Sequence, residues 1–309
     1  MKKAGIIGGA GFIGSYITQV FLENGFEVRV SATDPTKEEK YKHLSKLANA
    51  DKMELAELNV ENKDALKSFV TSCQIVVHCG TPFILDVQDP QTQLFEPTIK
   101  GTENFLDVIR ITPGVEKVIF IASVAAYNTN FPLLPDGKAP GDTIDEEDTK
   151  FMSELSHPYC QAKFIANQTV ENFIRENADI PFEICSVSPV FVMGDSLSTR
   201  EDSTSGGLQY LFKNKLAPDP FVQMLYDNDV AFAVVGVEDV ARSVYKAAIT
   251  PGVHGKNYIL SSETYNVSDL GLMLNGQPPK NEPVIVYKND LAKSDLDVVF
   301  SPVKTALIK

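Results

Sequence analysis

Tyr159 and Lys163 lie four residues apart in the stretch HPYCQAKF, inside a run whose apolar spacing predicts a helix. Residues four apart on an α-helix share one face, so the two side chains point the same way. An ammonium group beside a phenol stabilises the phenolate, and it thereby lowers a pKa that is ordinarily about 10. The pair predicts a tyrosine that exchanges a proton with a substrate.

A serine ends the strand-like stretch VIFIAS, at position 123. Open α/β sheets bind their ligands at the carboxyl edge, where this serine would stand. A hydroxyl at that edge can hydrogen-bond a substrate oxygen beside the tyrosine. Ser123, Tyr159 and Lys163 are therefore the predicted catalytic residues.

Glycines separate a strand-like run from a helical pattern in the N-terminal stretch KKAGIIGGAGFIGSY. At this junction Gly8 permits a tight turn, Gly11 lets the backbone approach a pyrophosphate, and Gly14 lets the helix pack closely on the strand. The helix N-terminus adds free N–H groups and the positive end of the helix dipole. Together with Phe12 and Ile13 at the helix start, the loop predicts dinucleotide binding.

The alternation of strands and helices continues along the chain. Strand-like runs follow at Val28–Ala32, Met53–Leu58, Ile75–His78, Val118–Ile121 and Phe182–Val187. Helical patterns lie between them at Lys37–Leu47, Asp64–Val70, Thr98–Ile109 and Tyr159–Arg175. Strands separated by helices of this length imply right-handed crossovers. The expected fold is α/β, a Rossmann-type doubly wound parallel sheet.

The pattern loosens from about Gly194. A helix near residues 208–213, a helix from Val237 after a strand, a strand at Asn257–Leu260 and a helix after Asn266 are the remaining elements. We expect a dinucleotide-binding domain over residues 1–193 and a smaller C-terminal substrate-binding lobe over residues 194–309. Some late segments are expected to return to the first domain.

Composition restricts the possible partners. The net charge of the 309 residues is -13, which argues against nucleic acid and anionic membranes because both attract basic surfaces. No stretch has the roughly 18 unbroken apolar residues of a membrane helix, and the N-terminal run fits a signal peptide badly. The four cysteines and four histidines lack metal-ligand spacing, so no metal is expected. We expect a cytoplasmic protein with reduced thiols.

The glycine loop GGAGFIG, Ser123 and the stretch YCQAK resemble the extended short-chain dehydrogenase/reductases, within the NAD-dependent epimerase/dehydratase superfamily. The stretches VVHCGTP, IDEED and VEDVARSVYKAAITPGVHGKNYILSSE are similar to the dihydroflavonol 4-reductase group, which includes cinnamoyl-CoA and aldehyde reductases. The resemblance covers roughly residues 4 to 270. It is most specific in the first two-thirds of that span.

The resemblance implies roles around the nicotinamide. Tyr159 would donate the proton, Ser123 would orient the substrate carbonyl, and Lys163 would also hydrogen-bond the nicotinamide ribose. Thr81 and Pro189 would flank the nicotinamide ribose and ring.

Further from the nicotinamide, the resemblance implies an adenine contact and substrate contacts. Asn59 stands where relatives usually carry an aspartate that touches the adenine amino group. Asn128 matches a position that contacts substrate in the flavonoid enzymes, and Phe83 is a second expected substrate contact.

The stretch ATD after the second strand bears on the choice between NAD and NADP. Relatives that use NADP usually carry an arginine where this chain has Thr33, whereas an NAD-binding acid would stand at Ala32. Asp34 comes two residues late for that role. Lys40 matches a second basic position that pairs with a 2′-phosphate. These residues favour NADP.

The predicted activity is NAD(P)H-dependent reduction of an aldehyde or ketone, a small-molecule substrate, by a monomer or homodimer. A sugar-nucleotide epimerase or dehydratase is the first alternative. It needs basic side chains in the C-terminal lobe, where the arginines are Arg200 and Arg242. A dinucleotide-sensing protein without turnover is the second alternative, although it would not need the tyrosine and lysine.

Overall fold

The computed structural model describes residues 2–79, 89–198 and 204–307. Its strands in chain order are β1 Lys3–Ile7, β2 Glu27–Ala32, β3 Met53–Glu57, β4 Ile75–His78, β5 Lys117–Ile121, β6 Glu183–Pro189, β7 Phe191–Met193, β8 Ala231–Gly236, β9 Asn257–Leu260 and β10 Glu263–Asn266. Seven of them form one parallel sheet in the order β3-β2-β1-β4-β5-β6-β9. This order confirms the predicted doubly wound sheet.

Helices cover this sheet. In chain order they are α1 Phe12–Glu23, α2 Lys63–Val70, α3 Glu96–Ile111, α4 Pro158–Glu176, α5 Thr204–Asn214, α6 Pro220–Asp227, α7 Val237–Ile249, α8 Val267–Leu274, α9 Asp290–Leu296 and α10 Lys304–Leu307. The central strands β4 and β5 are buried along their whole length. Strands buried on both faces read as continuous apolar runs, which is why the sequence revealed them.

The strand order reverses between β1 and β4, because β2 and β3 continue to one side of β1 and β5 and β6 to the other. Such a reversal opens a crevice beyond the carboxyl ends of the strands. The glycine loop follows β1, and Ser123 follows β5. The topology therefore directs both predicted features to the same edge of the sheet.

A second sheet of three strands, in the order β10-β8-β7, lies in the C-terminal half. It forms a second apolar cluster, centred on the rings of Phe191, Phe212 and Phe232. Phe131 packs against both this cluster and the main core. The small sheet thus adjoins the carboxyl edge of the large one.

Late segments of the chain also join the large sheet. β9 pairs in parallel with β6, and its residue Leu260 lies opposite Pro189. Helix α7 packs on α1, where the ring of Tyr245 lies 5.5 Å from that of Phe21. Residues after 194 therefore contribute to both layers of the N-terminal fold.

The prediction of one helix over Lys37–Leu47 was wrong. The structure has separate 3₁₀ turns at Glu38–Lys40 and Leu44–Lys46. The apolar residues here are spaced by three, at positions 41, 44 and 47, and the backbone N–H of Leu44 bonds the carbonyl of Tyr41. A spacing of three matches the 3₁₀ helix, in which residues i and i+3 eclipse.

Some short elements were not predicted at all. They are β7, β10, α6, α9 and α10. Across the parts of the chain that the structure describes, none of the helices has the length and apolar character needed to span a bilayer.

Candidate active site

The glycine loop between β1 and α1 is tightly constrained. Gly8 has a φ of +77°, a conformation that favours glycine, and its carbonyl accepts the N–H of Gly11 at 3.0 Å. A Cβ on Gly14 would lie 2.1 Å from the carbonyl oxygen of Gly8. Gly11 caps α1 without a side-chain hydrogen bond, so the first N–H groups, those of Phe12 and Ile13 among them, face outwards unpaired within the helix. The loop fits a pyrophosphate.

A side chain of β2 contacts this loop, and polar residues follow the strand. The hydroxyl oxygen of Ser31 accepts the N–H of Gly8 at 2.8 Å and fixes the loop against the strand. Asp34 accepts a hydrogen bond from Thr36 at 2.5 Å and pairs with Lys37 at 3.3 Å. The Thr36 bond, followed by the Lys37 contacts, lowers the pKa of Asp34 although its burial opposes this. Lys37 thus offsets the negative charge that would oppose a 2′-phosphate.

Thr33 and Lys40 are both exposed near the end of β2. Lys40 lies in the first 3₁₀ turn, and its backbone N–H bonds the carbonyl of Lys37. Ala32, the last residue of the strand, is buried and uncharged. The strand end therefore lacks the carboxylate that typically binds the ribose of NAD.

Two of the remaining predicted cofactor contacts, Asn59 and Pro189, lie at strand ends among the described residues. Asn59 is exposed after β3, and its side-chain oxygen accepts the N–H of Glu61 at 3.0 Å. That oxygen keeps a second lone pair for an adenine amino group. Pro189 ends β6 and lines the cavity described next. Thr81 and Phe83 lie outside the described residues.

A cavity of about 200 Å³ opens at the carboxyl edge of the sheet. Ser123, Tyr159, Lys163, Ile13 and Pro189 all line it. The structure thus brings the three predicted catalytic residues together with two predicted cofactor contacts.

Ser123 is the N-cap of a 3₁₀ turn, and its hydroxyl accepts the N–H of Ala125 at 3.2 Å. The hydroxyl also forms a hydrogen bond with Tyr159. Burial raises the pKa of Tyr159, Cys160 raises it further, and only the Ser123 bond opposes them. The direction is opposite to the lowering that the Tyr-x-x-x-Lys spacing predicts, because loss of water disfavours the phenolate.

Lys163 is 4% exposed. Its ammonium donates to the carbonyl oxygen of Ile121 at 3.2 Å. Burial lowers the pKa of Lys163 to about 8, although Cys79 opposes the shift. The lysine is therefore about half charged at pH 8 and mostly charged below it.

Phe131, an aromatic residue that the sequence offers as a pocket-lining candidate, lines the cavity. Other lining residues were missed by the sequence analysis, namely His157, two cysteines, Ser205 and three phenylalanines, Phe191, Phe221 and Phe232. Their positions depend on packing between distant segments, so no local motif marks them. His157 alone carried a local signal, since it immediately precedes a proline at the start of a helix.

Asn128 is fully buried and does not line the cavity. Its amide nitrogen donates to the carbonyl of Leu133 and to the hydroxyl of Tyr287, both at 2.8 Å. Its oxygen accepts the N–H of Asn130 at 3.0 Å. These bonds hold the loop after Ser123, and the structure does not bring Asn128 to the predicted substrate.

Comparison with known families agrees with this geometry. A model of the NAD dependent epimerase/dehydratase family matches residues 4–267 of the chain. The chain belongs to that family. Both the glycine loop and the tyrosine-lysine pair fall within the matched residues.

Similar curated proteins are reductases. The chain is 27% identical to a cinnamoyl-CoA reductase of Medicago truncatula over 256 residues, which cover 81% of the chain and 74% of that protein. It is 25% identical to an anthocyanidin reductase of Arabidopsis thaliana over 299 residues, which cover 94% and 85%. The family match and these relatives make the chain an NAD(P)-dependent oxidoreductase. The predicted resemblance to this reductase group is confirmed.

Solved structures share the fold. A yeast methylglyoxal/isovaleraldehyde reductase complexed with NADPH has a TM-score of 0.79 at 22% identity, over 99% of this chain and 96% of that chain. A vestitone reductase from alfalfa has a TM-score of 0.74 at 18% identity, over the same shares. At these identities the likeness concerns the arrangement of elements.

Proposed function

We propose that this family member reduces the carbonyl group of an aldehyde or ketone with NADPH, and that Tyr159 donates the proton. The observation that carries the proposal is the meeting of Ser123, Tyr159 and Lys163 in one cavity beside Pro189. A protein that only senses a dinucleotide would not need this group of proton donors.

The residue roles follow from the contacts. The bound nicotinamide supplies the hydride. Tyr159 and Ser123 are hydrogen-bonded to each other, and the donor of that bond turns to the substrate when it binds. Both hydroxyl groups then donate to the carbonyl oxygen as negative charge develops on it. Tyr159 then transfers its proton to that oxygen. Its raised pKa keeps the phenol protonated until that transfer.

Lys163 acts beneath the tyrosine. Its ammonium binds the carbonyl of Ile121, and it would hold a ribose hydroxyl of the bound cofactor. A cation at this position stabilises the tyrosinate that remains after proton transfer. The predicted lowering of the Tyr159 pKa by Lys163 is therefore proposed for the loaded enzyme.

NADPH is the proposed cofactor because of the residues after β2. Ala32 offers no carboxylate to the ribose, and Lys37 offsets Asp34. Lys40 is exposed on the same segment. The NADPH complex of the yeast reductase named above supports the same choice.

The cavity lining supports an uncharged, largely apolar substrate. Lys163 is the one charged residue among the described lining residues, and phenylalanines form much of the wall. A sugar-nucleotide substrate, the alternative from sequence, needs cations for its diphosphate, and the described lining supplies none apart from the lysine. An apolar aldehyde or ketone meets neither a desolvated carboxylate nor an unpaired cation there.

Steady-state assays with NADPH and NADH across aliphatic aldehydes, aromatic ketones and flavanonols test the proposal. Tyr159→Phe should keep NADPH affinity and lower turnover at least about a hundredfold, the usual value of a positioned general acid. Stopped-flow measurement of NADPH oxidation isolates that step. An unchanged rate in the variant would refute the mechanism, and turnover of a sugar nucleotide but of no simple carbonyl would favour the epimerase.

A further inference from the structure

His157 connects the cavity to the helix that carries Tyr159. It is the N-cap of α4, and its ring atom Nδ1 accepts the backbone N–H of Tyr159 at 3.2 Å. Its carbonyl accepts the N–H groups of Cys160 and Gln161, at 2.9 and 3.2 Å. The imidazole also lines the cavity. One residue thus contacts the first turn of α4 through two of its polar groups.

The proline between His157 and Tyr159 explains why this helix cap is important. Pro158 occupies the first helical position and has no N–H group. The N–H of Tyr159 is therefore the first donor of the helix that needs a partner, and His157 provides it. A shift of this turn moves the tyrosine ring relative to Ser123, which is fixed separately to the end of β5.

We propose that His157 is a positioning residue for Tyr159 that acts only while its imidazole is neutral. The proposal rests on the proposed role of Tyr159 as proton donor. An imidazole nitrogen accepts a hydrogen bond only through a free lone pair, and in the charged ring both nitrogens carry hydrogen. Protonation would then set two donors against each other at 3.2 Å and release the first turn.

The described cavity lining around His157 already holds one cation. The titratable groups of the described lining are Tyr159, Cys160, Lys163 and Cys79. The other described lining residues carry no charge, and they come from α1, α5, α6, β8 and residues 121–125, 131–132 and 189–192. The charged residue that precedes His157 most closely in the chain is Glu154, which is exposed. Protonation would place a second cation in a cavity that already holds Lys163.

The test is the pH dependence of kcat and KM, from pH 5 to 8, for wild type, His157→Asn and His157→Ala. Asparagine is a strong N-cap that keeps an acceptor oxygen and does not titrate. Histidine changes charge within this range. We expect the wild-type kcat to fall about tenfold towards pH 5, the scale of one lost helix cap. The asparagine variant should stay within about twofold over the range, on the same scale of cap strengths.

His157→Ala should have the low kcat at every pH, equal to wild type at pH 5, with KM nearly unchanged. His254→Asn is the matched control, because Nδ1 of His254 also accepts a backbone N–H, from Ile184 at 3.3 Å, outside the cavity lining. This control should keep the wild-type decrease in kcat towards pH 5. Thermal unfolding at each pH verifies that all variants are folded.

Hydrogen exchange of a peptide spanning residues 156–162 provides a readout without turnover. Protection should be lost in His157→Ala and kept in His157→Asn at the same pH. The inference would be overturned if kcat of His157→Asn decreased towards pH 5 as in wild type, or if His157→Ala had the wild-type kcat. Full activity of Tyr159→Phe would instead refute the proposed function, so the two failures are distinguishable.

Discussion

The ammonium of Lys163 on α4 donates a hydrogen bond to the carbonyl oxygen of Ile121, 3.2 Å away. Ile121 is the last residue of β5, two positions before Ser123. The bond therefore ties the helix that carries Tyr159 to the strand that Ser123 follows. It fixes the spacing of the two hydroxyl groups through a buried cation.

Burying that cation has a cost in stability. The pKa of Lys163 is about 8 in the folded protein, below the 10.5 of an exposed lysine, because burial disfavours the charged form. Below pH 8 burial of the charge lowers the free energy of unfolding by its full amount. Between pH 8 and 10.5 this loss decreases, because the lysine is neutral in the folded protein and still charged in the unfolded chain. Above that range the cost disappears.

We predict that Lys163→Met raises the free energy of unfolding at pH 7 by about 1–3 kcal/mol, as the shift implies. The gain should shrink between pH 8 and 10.5. Urea unfolding at pH 7, 9 and 10.5 measures it, with Lys40→Met as the exposed control. A gain that is constant with pH would show that apolar packing, not charge burial, is the cause. Turnover should fall in the same variant.

Gly14→Ala should disrupt the glycine loop. The new Cβ would lie 2.1 Å from the carbonyl oxygen of Gly8, a backbone atom that has to move. We expect a loss of about 1–3 kcal/mol of stability. NADPH binding should weaken at least about tenfold, measured by fluorescence titration.

Gly207→Ala is the matched control, because a Cβ there meets no atom within 4 Å and the residue lies in α5. It should bind NADPH normally and gain up to about 1 kcal/mol of stability. Equal NADPH affinity in both variants would argue against the loop as the phosphate site.

Lys40→Ala should raise the KM for NADPH and leave the KM for NADH nearly unchanged. The exposed ammonium attracts a 2′-phosphate that NADH lacks. Lys42→Ala, which removes an exposed lysine paired with Glu39 at 3.4 Å, is the control. If wild type prefers NADH and Lys40→Ala does not affect NADPH, the cofactor proposal is wrong.

Thr33→Arg should improve the use of NADPH. A guanidinium at the end of β2 can bind a phosphate through two parallel hydrogen bonds, whereas threonine offers one neutral hydroxyl. The gain corresponds to about 1–3 kcal/mol, the range of a hydrogen bond to a charged group. Paired titrations of NADPH and NADH measure it as a change in the ratio of kcat/KM.

Asn128→Ala should lower the free energy of unfolding. It removes the bond from Asn128 to the hydroxyl of Tyr287 in a fully buried site, which we expect to cost about 1–3 kcal/mol. Tyr287→Phe removes the other partner, and the double variant should lose less than the sum of both. A large rise in the KM for the carbonyl substrate with unchanged stability would restore Asn128 as a substrate contact.

The central layers of the fold could be predicted from sequence because their signals are local. β4 and β5 are apolar apart from His78 at the end of β4 and Lys117 at the start of β5, and residues Tyr159 to Arg175 have helical spacing. The segment from Lys37 to Leu47 was wrongly predicted to be one helix because a spacing of three resembles one face of an α-helix. Strands β7 and β10 have three and four residues, too few to show a period.

The residues of the site also include some that the sequence predicts and some that it does not. Gly8, Ser123 and Tyr159 occur in short motifs, so their convergence followed from the strand order. The wall of the cavity could not be predicted from the strand order. Phe131 and Phe232 are far apart in the sequence and meet only when the small sheet packs on the large one. Their ring centroids are 5.3 Å apart in the folded chain. For Tyr159, burial raises the pKa, whereas the spacing to Lys163 in the sequence predicted that the pKa would be lowered.

The pairing of β9 with β6 bears on how the protein is synthesised. A ribosome makes β6 some seventy residues before β9, and chains grow at about 5–20 residues per second. For several seconds, therefore, β6 is an open edge with unpaired N–H and C=O groups, which is the type of edge that recruits foreign strands. Slowing translation between Pro189 and Asn257 should increase aggregation of the nascent chain, and a chaperone that shields strand edges should suppress it.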